Sequence, residues 1–289
     1  MTKAVKKAVL PVAGLGTRVL PGAKTTPKNL LNVVDRPILS YIVEEARAAG
    51  IEHFVFIVGR GQGAIEDYFD ANPEIEQALE AKGKTDILAE MRREVGEPGQ
   101  MSFIRQMAPL GLGHAVWCAR HVIGDEPFAV MLPDMLMAAQ RPALAQAVEA
   151  YEKTGGNIVV VEPAPEGEAH KYGIVALEKG DGRLNRMTGM VEKPAPGTEP
   201  SNLFISGRYI LQPEIFEILE TQERGAGGEI QLTDGMAALM KRQDFHALEY
   251  EGITYDCGDK IGLLRANVAF ALARPELADA ARAAIKSLL

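Results

Sequence analysis

The stretch PVAGLGTRVLPGAKTTPK, residues 11–28, decides how the whole chain is interpreted. It follows an apolar run, Ala8-Val9-Leu10, and residues 7–12 predict a short buried strand ended by glycine. Gly14 and Gly16 let the backbone approach a ligand and direct N–H groups at it. Arg18 adds a planar fork of donors, and Lys28 follows a proline that stiffens the chain. This composition predicts a phosphate-binding loop, with a surface turn of solvated cations as the alternative.

The loop fits neither of the two common phosphate-binding motifs. The dinucleotide fingerprint G-x-G-x-x-G needs a third glycine where Val19 stands, and Gly59-Arg60-Gly61 replaces the acidic residue expected after the second strand. The P-loop needs glycines five positions apart, but Val19 follows Gly14 and Pro21 follows Gly16 at that distance. The sequence therefore predicts that the cations of the loop hold the phosphate.

Composition argues against several other classes of function. The 289 residues include 31 Lys and Arg and 39 Asp and Glu, which gives a net charge of -8. An acidic chain without long basic runs is poorly suited to binding nucleic acid. No apolar run approaches the ~18 residues of a membrane helix, and no signal peptide is recognised at the N-terminus. We expect a cytoplasmic protein with no membrane partner, in which Cys118 and Cys257 are reduced thiols.

The order of predicted strands and helices indicates an α/β fold. Strands at residues 7–12 and 53–58 alternate with helices that start at Pro37 and Ala64, as in a parallel sheet with crossover helices. Further strands are predicted at residues 102–105, 128–132, 157–161, 172–177, 189–192 and 203–211. Because ligands of such sheets bind beyond the carboxyl ends of the strands, the loop at residues 11–28 is in the right place for a site.

Two segments are expected to lie outside the sheet. Residues 73–100, rich in Glu, Lys and Arg, predict a peripheral helical insertion in a catalytic domain of residues 1–262. Residues 263–289 predict a C-terminal helical segment, interrupted at Pro275, with apolar surface for oligomerisation or core packing. The pattern also predicts a turn at residues 179–182 and a hairpin of residues 245–250 and 253–256.

Ordered motifs along almost the whole chain resemble those of the sugar-1-phosphate nucleotidyltransferases. These motifs are VAGLGTR (12–18), PK (27–28), DRP (35–37), AIEDYFD (64–70), RQMAPLGLGHAV (105–116), MLPD (131–134), YGIV (172–175), VEKP (191–194), GRYIL (207–211), GGEIQLTD (227–234) and YDCGDK (255–260). Together they are far more specific than one G-x-G pair. The resemblance implies a Rossmann-like nucleotide-diphospho-sugar transferase fold, with a mixed, mostly parallel sheet flanked by helices.

The same resemblance implies an enzyme. We expect Mg²⁺-dependent transfer of a uridylyl group from UTP to α-D-glucose 1-phosphate, which gives UDP-glucose and pyrophosphate. In the family the sugar phosphate attacks the α-phosphorus directly, so the protein positions two anions and neutralises charge rather than supplying a nucleophile. The resemblance also implies a homodimer or homotetramer.

The resemblance assigns the nucleotide phosphates to the loop after the first strand. Ala13, Gly14 and Gly16 are expected to meet the nucleotide through backbone groups. Arg18 is expected to bind the β- and γ-phosphates, and Lys28 the α-phosphate. Arg18 and Lys28 are therefore the candidate catalytic cations of this loop.

The base is expected to lie near three other residues. Gln106 would hydrogen-bond the uracil edge, since an amide both donates and accepts, and Gly111 would lie beside the base in a second glycine turn. Without the resemblance, Gln106 would be a solvated strand end. Asn29 stands where close relatives carry Glu or Gln near the base. Its shorter reach leaves transfer from dTTP as the alternative to UTP.

The sugar phosphate is expected on the other side of the site. The resemblance implies that Glu192 accepts hydrogen bonds from glucose hydroxyls, that Lys193 meets the phosphate as a further catalytic cation, and that Gly173 and Gly207 leave room for the sugar. Neighbouring strand residues point to opposite faces, so Glu192 and Lys193 share one pocket only if the chain bends there; an exposed ion pair is the alternative.

Two aspartates are candidate ligands of Mg²⁺. Asp134 ends a buried apolar run, and a carboxylate at a strand end beside phosphates suits this ion. Asp256 follows another predicted strand and is either a second ligand or a turn aspartate.

Two other classes of protein compete with the transferase. A catalytically silent nucleotide-sugar sensor would be indicated by loss of Lys28 or Asp134, and both are present. A dinucleotide-dependent dehydrogenase is disfavoured by the missing third glycine.

Overall fold

The structure is a computed structural model that describes residues 2–178, 180 and 182–288. Its strands are β1 (Lys7–Pro11), β2 (Asn32–Val33), β3 (Arg36–Pro37), β4 (His53–Val58), β5 (Met101–Arg105), β6 (Phe128–Met131), β7 (Met135–Ala138), β8 (Asn157–Pro163), β9 (Gly173–Leu177), β10 (Leu184–Glu192), β11 (Leu203–Leu211), β12 (Phe245–Glu249) and β13 (Ile253–Asp256). Its helices are α1 (Ile38–Ala48), α2 (Gly63–Phe69), α3 (Pro73–Ala81), α4 (Thr85–Glu94), α5 (Leu112–Cys118), α6 (Arg120–Ile123), α7 (Ala143–Thr154), α8 (Ile215–Thr221), α9 (Leu232–Leu239), α10 (Lys260–Ala273) and α11 (Pro275–Ser287).

The main sheet is mixed but mostly parallel, as expected. Its strand order is β5-β4-β1-β6-β11-β8-β12-β10-β9, with an additional β11–β9 pairing. The pairings show that β5, β4, β1, β6, β8, β12 and β9 run in one direction, whereas β11 and β10 run in the other. The parallel strands β5, β4, β1 and β6 therefore form one half of the sheet, and the antiparallel strand β11 joins them to a mixed half of β8, β12, β10 and β9.

The centre of β1, Ala8 to Leu10, is apolar and buried because the strand lies between two others and between two layers of helix. Ala8 and Leu10 pack on the face that carries α1 and α7, whereas Val9 packs on the opposite face with α5 and α8. A continuous apolar run is typical of such doubly covered parallel strands. β1 pairs with β4 on one side and β6 on the other, so the chain changes direction across the sheet at β1. The crevice at this switch point is where the fold places a ligand.

The prediction of a hairpin formed by residues 245–250 and 253–256 is wrong, because these two segments do not pair with each other. β12 pairs in parallel with β8 and antiparallel with β10, so it lies inside the main sheet. β13 instead pairs with β7 to form a separate two-stranded ribbon, with Asp256 opposite Met135. An apolar pattern predicts a strand but does not identify the strands with which it pairs. Here β12 buries Phe245, Ala247 and Leu248 between β8 and β10.

The other expected turn joins β9 and β10, which pair antiparallel. Lys179 and Asp181 of that turn lie outside the described residues.

Helices occupy most of the two segments expected outside the sheet. α3 and α4 pack against each other, and of their residues only Leu88 is buried. α10 and α11 are separate helices that meet before Pro275, with Ala266 their one buried described residue. Among the described residues, no helix has the length and apolar character needed to span a membrane. Cys118 and Cys257 are free thiols.

A buried ion pair ties the sheet to α1 beneath the site. Arg208 of β11 is fully buried and binds both carboxylate oxygens of Glu45, at 3.0 and 2.7 Å. The same guanidinium donates to the carbonyl oxygens of Leu132 (3.1 Å) and Met135 (2.9 Å). These carbonyls flank Asp134, so Arg208 holds the turn on which this aspartate stands.

We predict that Arg208→Met and Glu45→Ala each lower the free energy of unfolding by about 3–5 kcal/mol, because each leaves a buried charge or several buried carbonyls without a partner. Urea unfolding followed by circular dichroism measures the loss. Arg282→Ala removes an exposed Arg282–Asp279 pair and is the matched control, with no measurable change expected. Equal stability of Arg208→Met and the control would contradict a structural role for the pair.

Candidate active site

Two adjoining cavities open at the carboxyl ends of the parallel strands, and Leu112 lines both. The smaller cavity, of about 350 Å³, is lined by Pro11, residues 13–17, Gln106, Pro109, Gly111, Leu112, Ala115 and Glu229. The larger cavity, of about 470 Å³, is lined by Arg18, Leu112, Leu132, Asp134, Met135, residues 171–173, Glu192, Lys193, Ile205, Tyr209, Gln231, Thr233 and Asp256. Most residues singled out in the sequence therefore converge on this one edge of the sheet.

Lys28 lies between the two cavities because the glycine loop folds over its side chain. A Cβ on Gly14 would lie 3.5 Å from Lys28 Cε. Gly16 has a φ of 64° and a Cβ there would lie 2.9 Å from Lys28 Cβ, so both the backbone conformation and the close approach require glycine. The glycines of the loop thus make room for the lysine as well as lining the smaller cavity.

The Lys28 ammonium is paired with Asp134. Nζ lies 2.6 Å from Asp134 Oδ2, and each side chain is only 16% exposed. Burial would raise the pKa of Asp134, but the charges of Lys28 and Arg18 outweigh it and hold that pKa below its usual value. Asp134 is therefore a carboxylate at neutral pH, and it faces the larger cavity.

Arg18 connects both aspartates. Its Nη1 lies 2.9 Å from Asp256 Oδ2, and its Nη2 lies 3.9 Å from Asp134 Oδ2. Burial would lower the pKa of Arg18, but these carboxylates raise it. Two cations and two carboxylates thus form one cluster at the junction of the cavities.

The ribbon of β7 and β13 brings the two aspartates together. Cys257 N donates to the backbone oxygen of Asp134 at 2.8 Å, and Gly258 N donates to Asp256 Oδ1 at 2.8 Å. A Cβ on Gly258 would lie 2.9 Å from Asp134 Oδ2 and 2.8 Å from Asp256 Oδ1. Asp256 thus has the hydrogen bond of a turn aspartate and also faces Asp134, so the two interpretations made from the sequence are compatible.

The two carboxylates suit a Mg²⁺ ion that takes its other ligands from substrate, and they do not form a site in which the protein alone holds a metal. Asp134 and Asp256 offer hard carboxylate oxygens, which suit an ion held by one or two carboxylates together with substrate phosphates. Within the described residues, no group of three or more His, Cys, Asp or Glu side chains could hold a metal ion. A cation here would therefore need further ligands from the substrate.

Glu192 and Lys193 line the same cavity because the chain bends where β10 ends. Lys193 has a φ of 47°, in the left-handed region, and its N–H donates to the Tyr172 carbonyl at 3.0 Å. Thr233 donates to Glu192 Oε2 at 2.7 Å and orients that carboxylate. The bend that the sequence required for a shared pocket is present. Gly173 also lines this cavity, and a Cβ there would lie 3.1 Å from Glu192 Oε2.

Asn29 and Gly207 line neither cavity. Asn29 is buried beneath the loop, and its Nδ2 donates to the Val12 carbonyl at 3.2 Å, so it braces the loop rather than facing a base. Gly207 has a φ of 88° and packs under Leu132, where a Cβ would lie 3.0 Å from Leu132 Cβ. Both residues thus lie beneath residues that line the cavities, and their expected direct contacts with ligand stay predictions.

Gly111 lines the smaller cavity. Its φ is 107°, and a Cβ would lie 2.8 Å from the Ile230 carbonyl oxygen. Gly113 N donates to that same oxygen at 2.8 Å, so the start of α5 is packed directly on the backbone of Ile230. Gln106 joins this turn through Nε2, which lies 3.1 Å from the Gly111 oxygen.

Several cavity residues were missed in the sequence. They are Lys171, Tyr172, Tyr209, Glu229, Gln231 and Thr233. All but Lys171 fall within the family motifs YGIV, GRYIL and GGEIQLTD. The motifs therefore indicated these five residues, but no individual role was assigned to them. Tyr209 is the most buried of the aromatic ones, and burial together with the nearby Glu192 charge raises the pKa of its phenol.

Known proteins resemble this chain over nearly its full length. A UTP–glucose-1-phosphate uridylyltransferase of Bacillus subtilis (strain 168) is 49% identical over 277 residues, 96% of this chain and 94% of that protein. The structure of a UTP-bound UGPase from Acinetobacter baumannii superposes with a TM-score of 0.91 at 42% identity, covering 99% of this chain and 100% of that one. A UDP-glucose pyrophosphorylase complexed with UDP-glucose gives a TM-score of 0.83 at 38% identity, covering 93% of this chain and 100% of that one.

Residues 7–271 match the family described as Nucleotidyl transferase. With its motifs in order, its cavities at the switch point of the sheet and these relatives, the chain belongs to the nucleotidyl transferase family.

Proposed function

We propose that this protein transfers a uridylyl group from UTP to α-D-glucose 1-phosphate and releases pyrophosphate. The observation that carries the proposal is the position of Lys28, which packs on the loop of the smaller cavity and pairs with Asp134 of the larger one. The names of the relatives support the same substrates: one is a UTP–glucose-1-phosphate uridylyltransferase, one binds UTP and one binds UDP-glucose.

The two cavities suit the two substrates. The smaller one combines flat glycine backbone with the amide of Gln106, which suits a pyrimidine base. The larger one offers hydrogen-bond acceptors and donors from Glu192 and Thr233, which suit sugar hydroxyls, and Lys193 beside them suits the sugar phosphate. The triphosphate then lies between the cavities, over Lys28 and Arg18.

The reaction is an in-line displacement at the α-phosphorus. A phosphate oxygen of glucose 1-phosphate forms the new P–O bond, the bond from the α-phosphorus to the bridging oxygen breaks, and pyrophosphate leaves with the electron pair. Lys28 neutralises charge on the α-phosphate, and Arg18 binds the leaving β- and γ-phosphates. Lys193 holds the attacking phosphate near its target, which offsets the repulsion between two anions.

Asp134 and Asp256 are proposed to hold Mg²⁺ together with substrate phosphates. When bound, the ion would neutralise phosphate charge, as in other phosphoryl-transfer sites. In the structure each carboxylate is instead paired with a cation, Asp134 with Lys28 and Asp256 with Arg18. These pairs leave Lys28 and Arg18 available to phosphate once the carboxylates take another cation.

The position of Asn29 bears on the choice between UTP and dTTP. Asn29 is buried, donates to the Val12 carbonyl and does not line the smaller cavity. The names of the relatives support UTP, and transfer from dTTP stays the alternative. The homodimer or homotetramer, the domain bounds at residues 1–262 and 263–289, and the cytoplasmic location stay predictions.

We predict pyrophosphate release when the protein is mixed with UTP, α-D-glucose 1-phosphate and Mg²⁺, and loss of that release when EDTA removes the metal. A coupled phosphate assay measures the rate, and UDP-glucose is identified by chromatography. Parallel reactions with dTTP, CTP and ATP give kcat/KM for each nucleotide. A folded protein that releases no pyrophosphate from UTP would refute the proposed function.

We predict that Lys28→Ala and Asp134→Asn each lower kcat by at least about a hundredfold, since each removes charge directed at the reacting phosphates. Lys24→Ala is the matched control, because Lys24 is an exposed lysine of the same loop and lines neither cavity. Steady-state kinetics on folded variants measure kcat for each variant and for the control. Similar losses in Lys28→Ala and Lys24→Ala would indicate a general effect of loop charge instead.

We predict that Gly258→Ala raises the Mg²⁺ concentration needed for half-maximal activity by about tenfold or more. The added methyl would clash with Arg18 Nη2 and would lie within 3 Å of oxygens from both Asp134 and Asp256. Isothermal titration of Mn²⁺ into the protein with UTP gives a second readout that does not depend on turnover. Unchanged metal affinity in both measurements would argue against a cation between these carboxylates.

A further inference from the structure

The side-chain amide of Gln106 is held by two hydrogen bonds from the same atom. Nε2 lies 3.1 Å from the Gly111 carbonyl oxygen and 3.0 Å from His114 Nδ1. A carbonyl can only accept, so the contact with Gly111 determines which end of the amide carries the hydrogens. The nitrogen of Gln106 therefore points into the turn at the start of α5.

His114 takes the second hydrogen of this amide. For that contact Nδ1 must be unprotonated, and the ring carries its proton on Nε2. Burial and the charge of Arg120 hold the pKa of His114 below its usual value, which keeps the ring neutral. Cys118 Sγ lies 3.8 Å from the same Nδ1, and burial raises the pKa of this thiol, so it too faces Nδ1 as an S–H group.

Both acceptors belong to one rigid segment. Gly111 caps the start of α5, where it is packed on Ile230, and His114 stands on the first turn of the same helix. The His114 ring also contacts Trp117, with 5.7 Å between the ring centroids. The geometry of this turn thus sets the orientation of the Gln106 amide before any ligand binds.

The amide oxygen is the group that remains for a ligand. Both side-chain hydrogen bonds that the described residues give Gln106 use Nε2, and Gln106 lines the smaller cavity. An amide oxygen accepts only, so it pairs with a base that offers a ring N–H at that position. Uracil and thymine carry a hydrogen on N3, whereas cytosine carries a lone pair there that would oppose the oxygen.

We propose that His114 is a positioning residue for base selection: it accepts one hydrogen of Gln106 and so keeps the amide oxygen turned toward the base, which favours uracil over cytosine. This inference rests on the proposed uridylyl transfer. Without an acceptor at residue 114, Nε2 keeps only its hydrogen bond to the Gly111 oxygen, so the amide turns over more readily and then presents its N–H groups to N3 of cytosine. The rejection of cytosine then weakens, whereas uracil and thymine are affected alike.

The test compares His114→Phe, which keeps a ring beside Trp117 but has no acceptor, with His114→Asn, whose Oδ1 can replace Nδ1. kcat/KM is measured for UTP, dTTP and CTP with glucose 1-phosphate by pyrophosphate release, and Kd for UTP and CTP by calorimetry. We expect the UTP-to-CTP ratio to fall about tenfold or more in His114→Phe and to recover in His114→Asn. The UTP-to-dTTP ratio should stay constant in both, because these two bases share N3–H.

The controls separate this inference from the function on which it rests. Wild-type protein that transfers uridylyl groups, combined with an unchanged UTP-to-CTP ratio in His114→Phe, would overturn the role of His114 alone. Equal losses for all three nucleotides in both variants would show a merely structural histidine and would also overturn it. Wild-type protein that neither binds UTP nor releases pyrophosphate would overturn the proposed function and this inference with it. His114→Leu carries the same expectation and replaces His114→Phe if that variant unfolds.

Discussion

The contact between Lys28 Nζ and Asp134 Oδ2, at 2.6 Å, joins the two loops on which the rest of the site depends. Lys28 comes from the loop after β1 and Asp134 from the turn after β6, and these strands are hydrogen-bonded neighbours. The turn that carries Asp134 is held from below by Arg208, which is itself fixed by Glu45 of α1. A buried charge needs a partner, so packing of the sheet on α1 is coupled to the geometry of the active site.

Because buried charges need partners, the centre of the site carries two cations and two carboxylates. Lys28 and Arg18 are paired with Asp134 and Asp256, which avoids isolated charges in a partly buried crevice. Phosphates and a metal ion would exchange these partners rather than bring unbalanced charge into the cleft. Glycine at Gly14, Gly16 and Gly258 leaves the space in which that exchange takes place.

The sequence predicted the strands and helices well because their apolar patterns and glycine or proline boundaries are local features. It also predicted which residues converge on the site, since loops after parallel strands meet at one edge. It failed for the partner of β13, which is set by contacts distant in the chain. Tertiary packing buries Asn29 and Gly207 beneath residues that line the cavities, which their positions in the sequence did not indicate. The link from Gln106 to His114 depends on side-chain orientation, which no spacing in the sequence specifies.

A crystal structure of this protein with Mg²⁺, glucose 1-phosphate and a UTP analogue that cannot be cleaved between the α- and β-phosphates would show whether Lys28 exchanges Asp134 for phosphate. We expect the base in the smaller cavity against Gln106, the sugar in the larger cavity against Glu192, and Lys28 moved from Asp134 to the α-phosphate. Nucleotide bound elsewhere, or Lys28 still paired with Asp134 while both substrates are in place, would contradict this expectation.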